Sequence, residues 1–114
     1  MSEGTDLIDA QLAAYRDRDL GRYVTFFSDD VVIRDAEGHV LVEGIEALRA
    51  FYENMFRDSD SLEVRIPSRI EVGSFVIDEE HITGLVSEGL PPSLEAACVY
   101  RVHDGKIRAM TFVM

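Results

Sequence analysis

Apolar residues recur at helical spacing through the first half of the chain and at alternate positions through the second. Over residues 5–17, Leu7, Ile8, Leu12 and Tyr15 repeat every three or four positions, with Thr5 as the N-cap, which predicts an amphipathic helix. Gln11 falls on the same stripe, either at its edge reaching water or as a hydrogen-bonding group facing a pocket. Asp19 caps a second, short helix bearing Leu20, Tyr23, Val24 and Phe27, which Ser28-Asp29-Asp30 stops. Strands over 31–35 and 39–43 follow, joined by Ala36-Glu37-Gly38. A helix over 45–57 begins after Gly44 and carries Ile45, Leu48, Phe51, Tyr52, Met55 and Phe56 on one face. From residue 62 the period changes to two. Leu62, Val64 and Ile66 alternate, Pro67 interrupts, Ile70 and Val72 resume, and Gly73-Ser74 suggests a bulge. Asp78-Glu79-Glu80 reads as a turn before a strand over 81–88. Strands over 94–103 and 106–114 flank a hairpin turn at Asp104-Gly105.

Helices first and antiparallel strands afterwards predict an α+β architecture, one curved antiparallel sheet with three helices packed on its concave face. At 114 residues the chain is expected to be a single domain, 1–114, with one core and room for one pocket. The inward set of the last two strands is Ala96, Cys98, Tyr100, Met110, Phe112 and Met114, facing Tyr15, Phe51 and Met55 from the helices. Such Met and aromatic walls suit a flat apolar ligand. Asp35 is the polar exception. It lies in phase with Val31 and Ile33, so it is either a group that bonds the following turn or a general base whose pKa burial raises.

Charge narrows the partners. With 22 acidic and 11 basic residues the chain carries a formal charge of −11 and no basic cluster, which disfavours nucleic acid and anionic membranes. No apolar run reaches the length of a membrane span. The acidic start MSEGTDLIDA does not read as a signal peptide, and Cys98, the one cysteine, has no partner for an internal disulfide; a cytoplasmic location is expected. Asp29-Asp30 has no third ligand nearby, and His39, His81 and His103 lack metal spacing, so neither metal nor cofactor is implied. Cys98 reads as an inert buried thiol rather than a nucleophile.

The segments DLGRYVTFFSDDVVIRD, EGIEALRAFYENMF and VYRVHDGKIRAMTFVM resemble the nuclear transport factor 2-like superfamily, and within it the ketosteroid isomerases and the SnoaL-like, polyketide-cyclase-related proteins. The resemblance covers nearly the whole chain. It implies a cystatin-like cone with a pocket between sheet and helices, taking a small apolar organic ligand, and a homodimer formed through the outer face of the sheet. It also implies roles for single residues. Asp35, in DDVVIRDAEG, matches the proton-abstracting base, and Tyr52, in RAFYEN, matches a supporting tyrosine. Gln11 stands where the isomerases have an oxyanion-holding tyrosine, and Cys98 where they have a protonated aspartic acid. Preorganised donors supply much of such a rate and a thiol is a weak donor, so the standard steroid isomerase mechanism is disfavoured. A different proton transfer, with Asp35, Tyr52 and Gln11 as the catalytic set, is the expectation, against a non-catalytic binding or dimerisation module. The expected pocket wall is Tyr15, Phe27, Phe51, Met55, Cys98, Tyr100, Met110 and Phe112.

Overall fold

A computed structural model describes residues 2–114. Helix α1 spans Glu3–Arg16 and buries Ile8, Gln11, Leu12, Ala14 and Tyr15. It starts two residues before the expected boundary because Ser2 is the cap. Its hydroxyl accepts from the Thr5 N–H at 3.1 Å, while the Thr5 hydroxyl accepts from the Ser2 N–H, a reciprocal capping box. Helix α2, Leu20–Tyr23, is capped by Asp19 as expected and runs into a tight helical turn over Val24–Phe26.

Strand β1 covers Phe27–Asp35, and β2 covers Val40–Glu43. Asp29 and Asp30 were expected to end α2 but lie exposed within β1. An irregularity in the β1–β6 register between Phe27 and Val32 accommodates the acidic pair on the strand. Helix α3, Ile45–Asp58, buries Leu48, Tyr52, Met55 and Phe56. The remaining strands are β3 (Glu63–Val72), β4 (Phe75–Thr83), β5 (Ser93–His103) and β6 (Lys106–Val113). Pro67 does not end β3. That strand lies at the sheet edge, where a missing N–H is tolerated, and the register shifts between Arg65 and Ser68. Gly73-Ser74 is a hairpin turn rather than a bulge, with Val72 paired to Phe75.

The largest departure concerns Asp78-Glu79-Glu80, which lies in the middle of β4 instead of forming a turn. Register with β5 runs unbroken through the triplet, while β3 pairs with Asp78 and Glu79 and has its irregularity opposite Glu80. Val76, Asp78, Glu80 and Ile82 share the buried face, while Glu79 points outward.

The six strands form one curved, unclosed sheet in the order β2-β1-β6-β5-β4-β3. Every pair is antiparallel except β1 with β6, which is parallel, so the sheet is mixed. Helix α1 packs over β3 and β4, and α3 over β1 and β2. The helices thus cover the two flanks of the sheet. The middle strands β5 and β6 lie between them, and there the interior opens into a cavity.

Candidate functional site

The cavity has a volume of about 240 Å³. Its floor is Tyr100 from β5 and Met110 and Phe112 from β6. Helix α1 contributes Gln11, Leu12 and Tyr15, and α3 contributes Phe51, Tyr52 and Met55. Glu80 and Ile82 of β4 close one side, and Ile33 and Val42 the other. Leu85, Glu88, Gly89 and Leu90 cover it from the loop over 84–92. Exposed Leu41 and Met114 stand at the rim.

The covering loop is pinned at its base. Buried Ser59 accepts a hydrogen bond from the Val86 N–H at 2.8 Å and donates to the Val86 carbonyl at 3.2 Å. The Leu85 N–H donates to the Pro92 carbonyl at 3.1 Å. Gly84 has φ +71°, and a Cβ there would lie 1.9 Å from the Ser61 carbonyl oxygen, so backbone meets backbone at the only side chain small enough.

All four tyrosines of the chain line the cavity. Tyr23 and Tyr52 have ring centroids 4.7 Å apart, and Tyr15 stands 6.3 Å from Tyr52 and 6.0 Å from Tyr23. The Tyr15 hydroxyl reaches the Met55 sulfur at 3.7 Å. Burial raises all four phenol pKa values, so they remain protonated at neutral pH.

The buried acid of the cavity is Glu80. It is 4% exposed, and the Tyr100 hydroxyl donates to its Oε2 at 2.7 Å. Burial pushes its pKa up to about 7; the bond from Tyr100 opposes this, Asp78 adds to it, and Arg69 and Arg16 partly offset it. Asp78, two residues earlier, is fully buried and held by Arg69 in a two-pronged ion pair at 2.6 and 2.9 Å. Arg69 also reaches Asp9 of α1 at 2.7 Å, which ties that helix to the sheet beside the cavity. Gln11 is 2% exposed, and its Oε1 has no hydrogen-bond partner among the described residues.

The structure brings most of the expected residues together. Gln11, Tyr15, Phe51, Tyr52, Met55, Tyr100, Met110 and Phe112 all line the cavity. Three do not. Asp35 is the last residue of β1 and its carboxylate is spent on the following turn. Oδ1 accepts from the N–H groups of Glu37 at 3.0 Å and His39 at 2.9 Å, and Oδ2 lies 3.0 Å from His39 Nδ1. Burial alone would raise its pKa, but the bonds from the His39 backbone, the His39 ring and the Glu37 N–H outweigh it and the pKa falls. The expected raised base is therefore a turn cap. Asp35, Glu37 and His39 do bring ligand atoms within 4.8 Å of one another, on an exposed turn whose polar atoms already bond each other. Phe27 is buried against Tyr23, with centroids 5.0 Å apart, outside the cavity wall. Cys98 is fully buried opposite Asp78 in the sheet, and burial pushes its thiol pKa up. The cavity-lining residue that the acidic triplet concealed is Glu80. Its alternation with Val76 and Ile82 is the signal that places it inward.

A curved mixed sheet with three helices and an apolar cavity between them defines the cystatin-like, nuclear transport factor 2-like class. Within that class, the model of the SnoaL-like domain matches residues 8–110, and the chain belongs to the SnoaL-like domain family. An uncharacterized cystatin-fold protein from Novosphingobium aromaticivorans is similar at a TM-score of 0.86 and 26% identity, covering 100% of this chain and 99% of the other. TerC, co-crystallised with polyporic acid, is similar at a TM-score of 0.79 and 21% identity over 99% and 92% of the two chains. An LEH-like epoxide hydrolase of M. tuberculosis is similar at a TM-score of 0.76 and 20% identity over 97% and 81% of the two chains. No curated protein matches the sequence. Among the described residues, no helix is long and apolar enough to cross a membrane.

Proposed function

We propose that the protein binds a small, largely apolar organic molecule in this cavity and exchanges a proton with it through Glu80, in chemistry of the isomerase or cyclase type. The observation that carries the reading is a buried carboxyl, bonded to Tyr100, on a largely apolar and aromatic wall, with its pKa brought to about 7. A group with that pKa is present in both protonation states at neutral pH, which is what a general acid-base needs. Tyr52 and Gln11 supply hydroxyl and amide donors on the same wall. The volume of about 240 Å³ lies below the range of about 300–1,000 Å³ usual for drug-sized ligands, which favours a compact ligand. TerC and the LEH-like epoxide hydrolase support the reading only at the level of fold.

The test is Glu80→Gln, which keeps the shape and an acceptor for Tyr100 but cannot move a proton. With a ligand found by screening, exchange of ligand hydrogen with solvent deuterium should stop while binding persists. Undiminished exchange in the variant refutes the assignment. Binding with no exchange in the native protein selects the non-catalytic reading.

We further propose that two copies associate through the outer face of the sheet. Ile70, Ile77, Val99 and Thr111 form one cross-strand row on that face. Ile70, Val72 and Phe75 are 58, 60 and 40% exposed. Sedimentation of the native protein and of Phe75→Glu tests this. A dimer that the substitution converts to monomer is expected, and a native monomer at micromolar concentration refutes it.

A further inference from the structure

The charge pattern inside the cavity is one-sided. Among the described residues, its lining includes two carboxylates, buried Glu80 and exposed Glu88, and no Lys, Arg or His. The nearby cations are committed elsewhere, Arg69 to Asp78 and Asp9, and Arg16 to the Val64 carbonyl at 3.2 Å. Gln11 adds a buried carbonyl oxygen without a partner among those residues. Tyrosine and phenylalanine rings, with negative faces, make up much of the remaining wall and favour positive charge. The formal charge of −11 concentrates cations around the molecule.

A carboxylate or phosphate ligand would meet Glu80 and Glu88 with no compensating cation, and its desolvation would go unmatched. A neutral ring compound without a hydrogen-bond donor would leave the Gln11 oxygen unsatisfied, and one with a donor would still leave the Glu80 charge unpaired. An ammonium group answers both, because it donates up to three hydrogen bonds and neutralises a carboxylate that burial otherwise penalises. We propose that the ligand carries a protonated amine on a compact apolar ring body, with the ammonium paired to Glu80 and the Gln11 carbonyl as a second acceptor. This rests on the reading of the cavity as a small-molecule site and specifies the chemical class that the site selects.

Binding is then coupled to the charge on Glu80. The charged groups facing it are Asp78, Arg69 and Arg16. The other titratable groups around it are the phenols of Tyr100, Tyr15 and Tyr52 and the thiol of Cys98, all with raised pKa values and neutral near pH 7. Below about 7 Glu80 takes up its proton and the ion pair is lost.

The experiment compares three isosteric probes, naphthylmethylamine, naphthylmethanol and naphthoate, by isothermal titration calorimetry at pH 8 and pH 6. The amine is expected to bind at least about tenfold tighter than the alcohol at pH 8, as befits a charge-assisted bond, with naphthoate the weakest. Amine affinity should fall about tenfold at pH 6 while alcohol affinity stays flat. In Glu80→Gln the amine should lose its advantage, and retained alcohol binding shows that the variant's cavity is intact. Equal binding of amine and alcohol, tighter binding of naphthoate, or an amine affinity independent of pH overturns the proposal, and the native pH comparison decides even if the variant fails to fold. Alcohol binding without preference for the amine overturns this inference alone, whereas failure of all three probes overturns the small-molecule site as well.

Discussion

Replacing Glu80 by Gln should make the protein less sensitive to pH and more stable in mild alkali. In the folded state the Glu80 pKa rises from 4.5 to about 7 because the carboxyl is buried. Between those values the folded state holds a proton that the unfolded state has released, so stability falls as pH rises through the window. The contribution is fully present below the unfolded value and is lost above about 7. At about 1.4 kcal/mol per pKa unit, the native protein should lose about 3 kcal/mol from this group between pH 4 and pH 8. The substituted amide keeps an acceptor for Tyr100 and has nothing to titrate. The difference in unfolding free energy between native and variant, followed by urea titration across that range, should therefore shift by about 3 kcal/mol in favour of the variant as pH rises. For a chain of this length that corresponds to about 12 °C in melting temperature. Taking the difference cancels the titrations common to both proteins. Parallel pH profiles would show that the carboxyl is solvated or unshifted, and would remove the basis for its role in proton exchange.

Asp35→Asn should leave ligand binding in the cavity unchanged and weaken the β1–β2 turn. Because the folded pKa of Asp35 is depressed, the stability gap to the native protein should close as acid titrates the native carboxylate, which denaturation at pH 7 and pH 3 would show. Gly84→Ala must combine φ +71° with a Cβ against the Ser61 carbonyl, and should cost about 2 kcal/mol or more by urea unfolding. Ser59→Ala removes both bonds to Val86 and should cost about 1–3 kcal/mol, with faster amide hydrogen exchange confined to residues 84–92. Cys98 should resist a thiol reagent in the native protein and react once urea unfolds it; rapid native labelling would contradict its burial.

The helices were legible because their buried faces repeat at a local period. Ile8, Leu12 and Tyr15, and Leu48, Tyr52 and Met55, face the core as their spacing predicts. Most of the cavity wall follows from the same faces. The acid was misplaced for a physical reason. Three consecutive acidic residues look like a turn when each is taken as solvated, but Asp78 is neutralised by Arg69 of the adjoining strand, and Glu80, whose pKa burial raises, is bonded by the Tyr100 hydroxyl of the strand on the other side. Both effects depend on strand pairing, which no local window contains. The phase of Asp35 with Ile33 was visible. What the phase does not contain is that β1 ends there, where two turn N–H groups are free to take the carboxylate.

The parallel contact between β1 and β6 sets an order on assembly. Phe27 pairs with Ile107 and Asp35 with Phe112, so the sheet is joined across its middle by residues from opposite ends of the sequence. Such distant contacts repay their loop-closure entropy late and slow folding. The β1–β2 hairpin with α3, and the β3–β6 meander, each consist of neighbouring segments that can pair early, but the cavity draws walls from both. It comes into existence only at the closing step. A ligand held there therefore bridges the two halves of the chain and acts on the closure equilibrium by mass action, slowing separation of β1 from β6 more than any change within either half.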